Sequence, residues 1–137
     1  MANQVKEACH SGQPTIGIFQ AFNSPAVAEA LSVCGFDWLM EDMEHNAIDL
    51  GTLQGILQAT AASETRVLAR VPSQDHVFIK QVLDIGVHGI LAPMVNDRSE
   101  AEAVVRSTRY PPNGVRGHGL IRASKWNTEY QNHVDTF

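Results

Sequence analysis

Four short apolar runs alternate with amphipathic segments along this chain, and that alternation limits the possible folds more than any other feature. The runs are Pro14–Phe22 (PTIGIFQAF), Gly35–Asn46 (GFDWLMEDMEHN), Thr65–Val71 (TRVLARV) and Gly89–Val95 (GILAPMV). Each reads as a strand, and the last two are bounded by proline or glycine. The segments between them carry helix signals. Ser24-Pro25 places an N-cap before a proline at the first helical position, where its missing N–H costs nothing. Val27, Ala30, Leu31 and Cys34 then fall on one helical face, and Gly35 takes the left-handed conformation that ends the helix. Asp49 caps a second helix with Leu50, Leu53, Ile56 and Leu57 inward. Asp75 caps a third, with Ile79, Val82 and Leu83 inward and Gly86 at its end. Ser99 and Glu102 form an S-x-x-E capping box for a fourth, which carries Val104 and Val105 inward. Met1–Gln13 is a short helix or a frayed lead-in, and Leu120–Asn132 begins another helix. Strand–helix units of about thirty residues imply a parallel sheet with right-handed crossovers.

Length and charge set the class. The 137 residues make one domain, 1–137, of ordinary soluble composition. A net charge of −5 gives no reason to expect nucleic acid or an anionic membrane as partner. No apolar run reaches the ~20 residues of a transmembrane helix. The leading MANQVKEACHSGQ has no apolar signal region. Cys9 and Cys34 form no CxxC pair and read as reduced thiols of a cytoplasmic protein, Cys34 buried on its helix face.

In parallel α/β proteins ligands bind at the carboxyl ends of the strands. Those ends carry Phe22 and Asn23, then Asp42, Glu44 and His45, then Arg70, then Pro93–Asn96. The loop Arg109–Gly119 (RYPPNGVRGHG) is expected to add Arg116 and His118, beside glycines whose N–H groups face an anion. Arg70 binds a carboxylate or a developing enolate in forked geometry, and an imidazole such as His45 moves a proton near neutral pH. The set suits a small, anionic, oxygen-rich molecule such as a keto acid. Taken one at a time the same residues have plainer uses: a structural ion pair for Arg70, solvation for Asp42 and Glu44, a loop cap for His45.

GFDWLMEDMEHN, VLARVP, IKQVLDIGVHGILAPMV and RYPPNGVRG, in this order and spacing, resemble the HpcH/HpaI aldolase family from Pro14 to about Asn127. The resemblance implies a phosphoenolpyruvate/pyruvate-type (β/α)8 barrel and a homo-oligomer. It also implies a divalent metal, Mg²⁺ or Mn²⁺, and retro-aldol cleavage of 4-hydroxy-2-oxo acids to pyruvate and an aldehyde. By it, His45 matches the general acid/base, working through a water. Arg70 matches the arginine that holds pyruvate and stabilises its enolate. Asp42, with Glu44 nearby, matches an acid beside the metal's water. Asp84 matches a carboxylate paired with the histidine. Asp84 sits in the last turn of the third helix, the opposite end from His45, and about eleven helical residues span about 16 Å. Such a pair therefore forms only across a subunit boundary.

The family's metal ligands, a Glu and an Asp, are expected at the ends of the fifth and sixth strands, beyond Phe137. Such a barrel takes eight strands and about 250 residues. The expected fold is thus the N-terminal half of a (β/α)8 barrel, about four βα units, with no metal ligand of its own. The expected function is that of a carbon–carbon lyase of the pyruvate-aldolase type. The alternative is a catalytically inactive remnant that only associates with full-length subunits.

Overall fold

The computed structural model describes residues 3–119 and 121–136. Four strands, β1 (Gly17–Gln20), β2 (Trp38–Asp42), β3 (Arg66–Arg70) and β4 (Gly89–Leu91), form one parallel sheet in sequence order. Helices α2 (Pro25–Ser32), α3 (Leu50–Ala59) and α4 (His76–Ile85) connect them. Helix α1 (Gln4–His10) precedes β1, and α5 (Arg98–Thr108) follows β4. A 3-10 turn at Arg122–Ser124 and α6 (Tyr130–Thr136) come last. This is the expected α/β order, with each connection between strands made by a helix.

The caps explain the boundaries. Ser24, Asp49 and Asp75 each accept a hydrogen bond from the backbone N–H three residues on, at Val27, Thr52 and Phe78. Gly86 ends α4 at φ +99°, where a Cβ would be strained. Asn3 caps α1 and also donates its side-chain amide to His88 O at 2.7 Å, which ties the lead-in helix to the start of β4.

Several local expectations are corrected. Helix α5 is capped by Asp97, whose Oδ1 accepts from Glu100 N at 2.9 Å, not by a Ser99–Glu102 box. The capping oxygen lies one residue before the proline-free helix start, so Ser99 is already helical. Val104 packs against the core, but Val105 is exposed. Helix α2 ends at Ser32, capped by Val33, before the left-handed Gly35 at φ +89°. Its inner face is turned by one residue, so Ala28 and Ser32 are buried while Ala30 and Cys34 are exposed. Strand β4 stops at Leu91, because Pro93 has no N–H to continue the ladder and Met94 takes φ +55°.

Register divides the sheet into two faces. Ile18, Leu39 and Val67 align across β1–β3, with Gln20, Glu41 and Ala69 two residues on. This face packs on the helices. Leu39, Val67, Ala69, Leu53, Ile56, Ile79 and Val82 are fully buried there. The other face carries Phe19, Trp38, Met40, Asp42, Leu68 and Arg70. Trp38 lies over Gly17, where any Cβ would run into the indole. Phe19 and Leu91 remain exposed on it.

Leu39→Ala is expected to destabilise the chain by about 2–5 kcal/mol, because it opens a cavity that the sheet and two helices cannot close. Urea denaturation reads this as a lowered midpoint at unchanged slope. An unchanged midpoint would show that the helix-side layer is not the core.

Candidate active site

The C-terminal ends of β2 and β3 are hydrogen-bonded neighbours, and their last residues, Asp42 and Arg70, are in register. Both point to the face away from the helices. Their side chains form a fork: Arg70 Nε donates to Asp42 Oδ1 at 2.9 Å and Nη2 to Oδ2 at 2.7 Å. Arg70 Nε also lies 3.2 Å from Glu44 Oε2. Its guanidinium carbon sits 5.3 Å from the centroid of the Phe19 ring, on the same sheet face but two strands away on β1.

Asp42 also shapes the loop that follows it. Its Oδ1 accepts from the backbone N–H groups of Glu44 and His45 at 3.2 and 3.3 Å, and its Oδ2 accepts from Asn46 Nδ2 at 2.6 Å. The Arg70 hydrogen bonds, helped by those two N–H groups, hold the Asp42 carboxyl down to about 2 despite its burial. The turn lifts His45 into solvent with its Nε2 3.6 Å from Glu44 Oε2 and its side chain 69% exposed. Asn23, after β1, donates to Ala47 O at 2.6 Å and joins the first strand-end loop to this one. Gln74 Nε2 donates to Pro93 O and Met94 O, so the β3 and β4 loops are joined as well.

Asp42, Glu44, His45 and Arg70 are therefore brought together as the sequence implied. Asp84 and Arg116 are not with them. Arg116 Nη2 donates to Asp84 Oδ1 at 2.8 Å, and the Arg116 side chain is 0% exposed while stacking on Tyr110 with its Cζ 4.7 Å from the ring centroid. Asp84 is in the last turn of α4, at the strand N-terminal end of the sheet. The expectation that Arg116 and His118 join the strand-end rim is corrected. A segment that follows a helix begins at that opposite end, and His118 stacks on Tyr110 there, 4.2 Å between ring centroids. Phe19, Asn46 and Gln74 were not singled out by the sequence. The register of Phe19 with Met40, two residues before Asp42, is the signal that would have found the first of them.

Profile comparison matches residues 15–134 to HpcH/HpaI aldolase/citrate lyase. The chain belongs to the HpcH/HpaI aldolase/citrate lyase family. It is 45% identical over 137 residues to a hydroxypyruvate/pyruvate aldolase of Pseudomonas aeruginosa, covering 97% of this chain and 51% of that one. It is 44% identical over 129 residues to a 4-hydroxy-2-oxo-heptane-1,7-dioate aldolase of Shigella boydii serotype 4, with 93% and 49% covered. A crystal structure of an HpcH/HpaI aldolase/citrate lyase family protein from Burkholderia cenocepacia J2315 superposes with a TM-score of 0.92 at 31% identity. That match covers 98% of this chain and 55% of the other. The chain spans about half the length of the curated relatives it matches.

A divalent metal is the cofactor the family implies. The described residues do not form a site for one. Among them, no group of three or more His, Cys, Asp and Glu side chains converges on a common point. Both Asp42 oxygens are already taken by Arg70, Asn46 and two backbone N–H groups. Magnesium asks for six oxygens in an octahedron at about 2.1 Å.

Proposed function

We propose that this chain supplies the pyruvate-holding side of an aldolase site that cleaves 4-hydroxy-2-oxo acids. The observation that carries this reading is the forked Asp42–Arg70 pair at adjacent strand ends. Its two parallel hydrogen bonds fix the plane of the guanidinium. Among the described residues no acceptor contacts Nη1, so that edge is left to take a carboxylate or a 2-oxo oxygen. The names of the relatives, hydroxypyruvate/pyruvate aldolase and 4-hydroxy-2-oxo-heptane-1,7-dioate aldolase, support the substrate class.

The reaction needs four things from the protein. The 2-oxo acid must be oriented, which the Nη1 edge of Arg70 does. A base must take the proton of the 4-hydroxyl, and we assign this to His45 acting through a water, since its ring reaches into solvent beside the fork. The O–H electron pair then becomes the aldehyde C=O as C3–C4 breaks, and the C3–C4 pair moves into the 2-oxo group as an enolate. Arg70 faces that growing negative charge, and return of the proton held by His45 and its water to C3 releases pyruvate. Asp84 lies too far along the fold to orient His45 of its own chain. Its assignment as the histidine's partner requires a neighbouring subunit, which agrees with the homo-oligomer that the family resemblance implies.

Charge limits what the site does alone. Arg70 carries +1 against Asp42 and Glu44 at −1 each, a sum of −1, so its contribution to anion binding is directional. Pyruvate binding by this chain is therefore expected to be weak. A non-catalytic chain that associates with full-length subunits is the second reading, favoured by the exposed Phe19 and Leu91 on the uncovered sheet face. Pyruvate titration separates the two: weak saturable binding that is lost in Arg70→Ala supports the first reading, and no saturable binding supports the second. Metal titration tests the site as described. By calorimetry Mn²⁺ is expected to bind this chain only weakly, with little pyruvate released from 4-hydroxy-2-oxo acids in a coupled assay. Micromolar affinity with metal-dependent pyruvate release would contradict the site as described. No helix among the described residues is long and apolar enough to cross a membrane, and we assign the protein to the cytoplasm on the strength of its family.

A further inference from the structure

Next to Asp42 the strand β2 carries a second carboxyl group with the opposite fate. Alternation turns Glu41 to the helix side of the sheet, where it is 0% exposed. Its register partner on β1 is Gln20, 1% exposed on the same face. Neighbouring strands lie about 4.8 Å apart, so the two side chains share one buried space.

The Gln20 amide has a fixed orientation. Its Nε2 donates to Phe22 O at 3.1 Å and to Ser24 O at 3.3 Å. Flipping the amide would set its oxygen against two carbonyl oxygens, so the nitrogen must face the loop and Oε1 must face the sheet interior. Among the described residues that Oε1 has no donor and neither Glu41 oxygen has a partner. Three acceptor oxygens with no hydrogen between them are not a stable buried arrangement. One proton on Glu41 turns one of its oxygens into a donor that Gln20 Oε1 can accept.

We propose that Glu41 is retained as a neutral acid whose O–H donates to Gln20 Oε1, and that this bond holds Gln20 in place to fix the loop after β1 at the rim of the site. Gln20 thus links a buried carboxyl to the carbonyls of Phe22 and Ser24. Between those two residues stands Asn23, which grips the His45 loop through Ala47 O. Glu41 is a positioning residue in this arrangement, two bonds removed from the rim.

The surroundings support a neutral state. From β1 the facing group is Gln20 and from β3 it is Ala69; Arg66 and Arg70 of β3 and Asp42 of β2 lie on the other face. Helix α3 carries no titratable residue, and the single one on α2, Glu29, is exposed. With no cation beside it, burial pushes the Glu41 carboxyl up to about 8. A group whose folded pKa is raised in this way binds its proton more tightly folded than unfolded. Its contribution is full below 4.5 and is lost progressively as the pH rises towards about 8.

The test uses the whole chain and needs no activity, so it stands or falls apart from the aldolase reading. Infrared spectra of the chain with carboxyl-labelled glutamate should show a protonated-acid C=O band at neutral pH that disappears in alkali. In Gln20→Leu the acid loses its acceptor, and the band should move to higher frequency. Glu41→Gln keeps a donor for Gln20 Oε1 without a titrating group. Its urea midpoint should therefore hold steady across the window in which the unsubstituted chain declines. Absence of the band in the unsubstituted chain, or an unmoved band in Gln20→Leu, would overturn the proposal. So would midpoints of Glu41→Gln and the unsubstituted chain that fall in parallel. The band in the unsubstituted chain decides the protonation state even where a variant does not fold.

Discussion

Arg70→Ala is expected to abolish pyruvate binding at the strand ends and to move the acid limit of the chain's stability to higher pH. Both effects come from the same fork. In the proposed site Arg70 is the cation assigned to the substrate, and it is also the first cause of the depressed Asp42 pKa. Because that pKa is lowered from 3.8 to about 2, the Asp42 contribution is present above 3.8 and is lost as pH falls through about 2. Without Arg70 the carboxylate keeps only Asn46 and the two backbone N–H groups. It should then take up its proton earlier on acidification. Urea midpoints followed through this acid window check the second effect. The variant should decline at higher pH than the unsubstituted chain, and superimposable profiles would remove Arg70 from its assigned place. Arg70→Lys should restore charge but not the fork, since an ammonium cannot make two parallel bonds in one plane.

His45→Ala is expected to have the largest effect on turnover with the least effect on folding. The side chain is 69% exposed and its one charged contact among the described residues, Glu44 at 3.6 Å, is long. Removing it therefore leaves the core and the Asp42–Arg70 fork untouched. Loss of a general acid–base group typically lowers the rate about 10²–10⁴-fold. The measurement uses a chain of the relatives' full length. A chimera joining residues 1–137 to the C-terminal half of the Pseudomonas aeruginosa relative supplies one. In it, His45→Ala should lower kcat/KM for pyruvate release strongly while the urea midpoint stays put. Near-unsubstituted turnover would rule out His45 as the proton carrier.

The frame was legible in the sequence because it is written in local patterns. Ser24, Asp49 and Asp75 cap helices where expected, and the apolar spacing of Leu53, Ile56 and Leu57 meets the core as read. Strand ends are chemically marked as well, so the convergence of Asp42 and Arg70 followed once β2 and β3 were adjacent parallel strands. What failed was the placement of groups that depend on longer paths. The glycines around Arg116 suggest a place at the rim, but the chain leaves α5 at the other end of the sheet and buries Arg116 against Asp84 and Tyr110. Helical spacing places Cys34 on the inner face of α2, but the helix ends at Ser32 and the thiol is exposed. The role of Glu41 was half visible. Alternation separates it from Asp42, but only tertiary packing shows that nothing among the described residues donates to it.

The central claim is that Arg70, and not Arg116, is where this chain meets a 2-oxo acid anion. Titration of the isotopically labelled chain with pyruvate, followed by backbone and arginine side-chain NMR shifts, tests it most directly. The expected result is weak, saturable shifts at Phe19, Asp42, Glu44 and the Arg70 guanidinium, absent in Arg70→Ala. Shifts centred on Asp84, Tyr110 and Arg116 that survive in Arg70→Ala, or no saturable shifts at all, would contradict it.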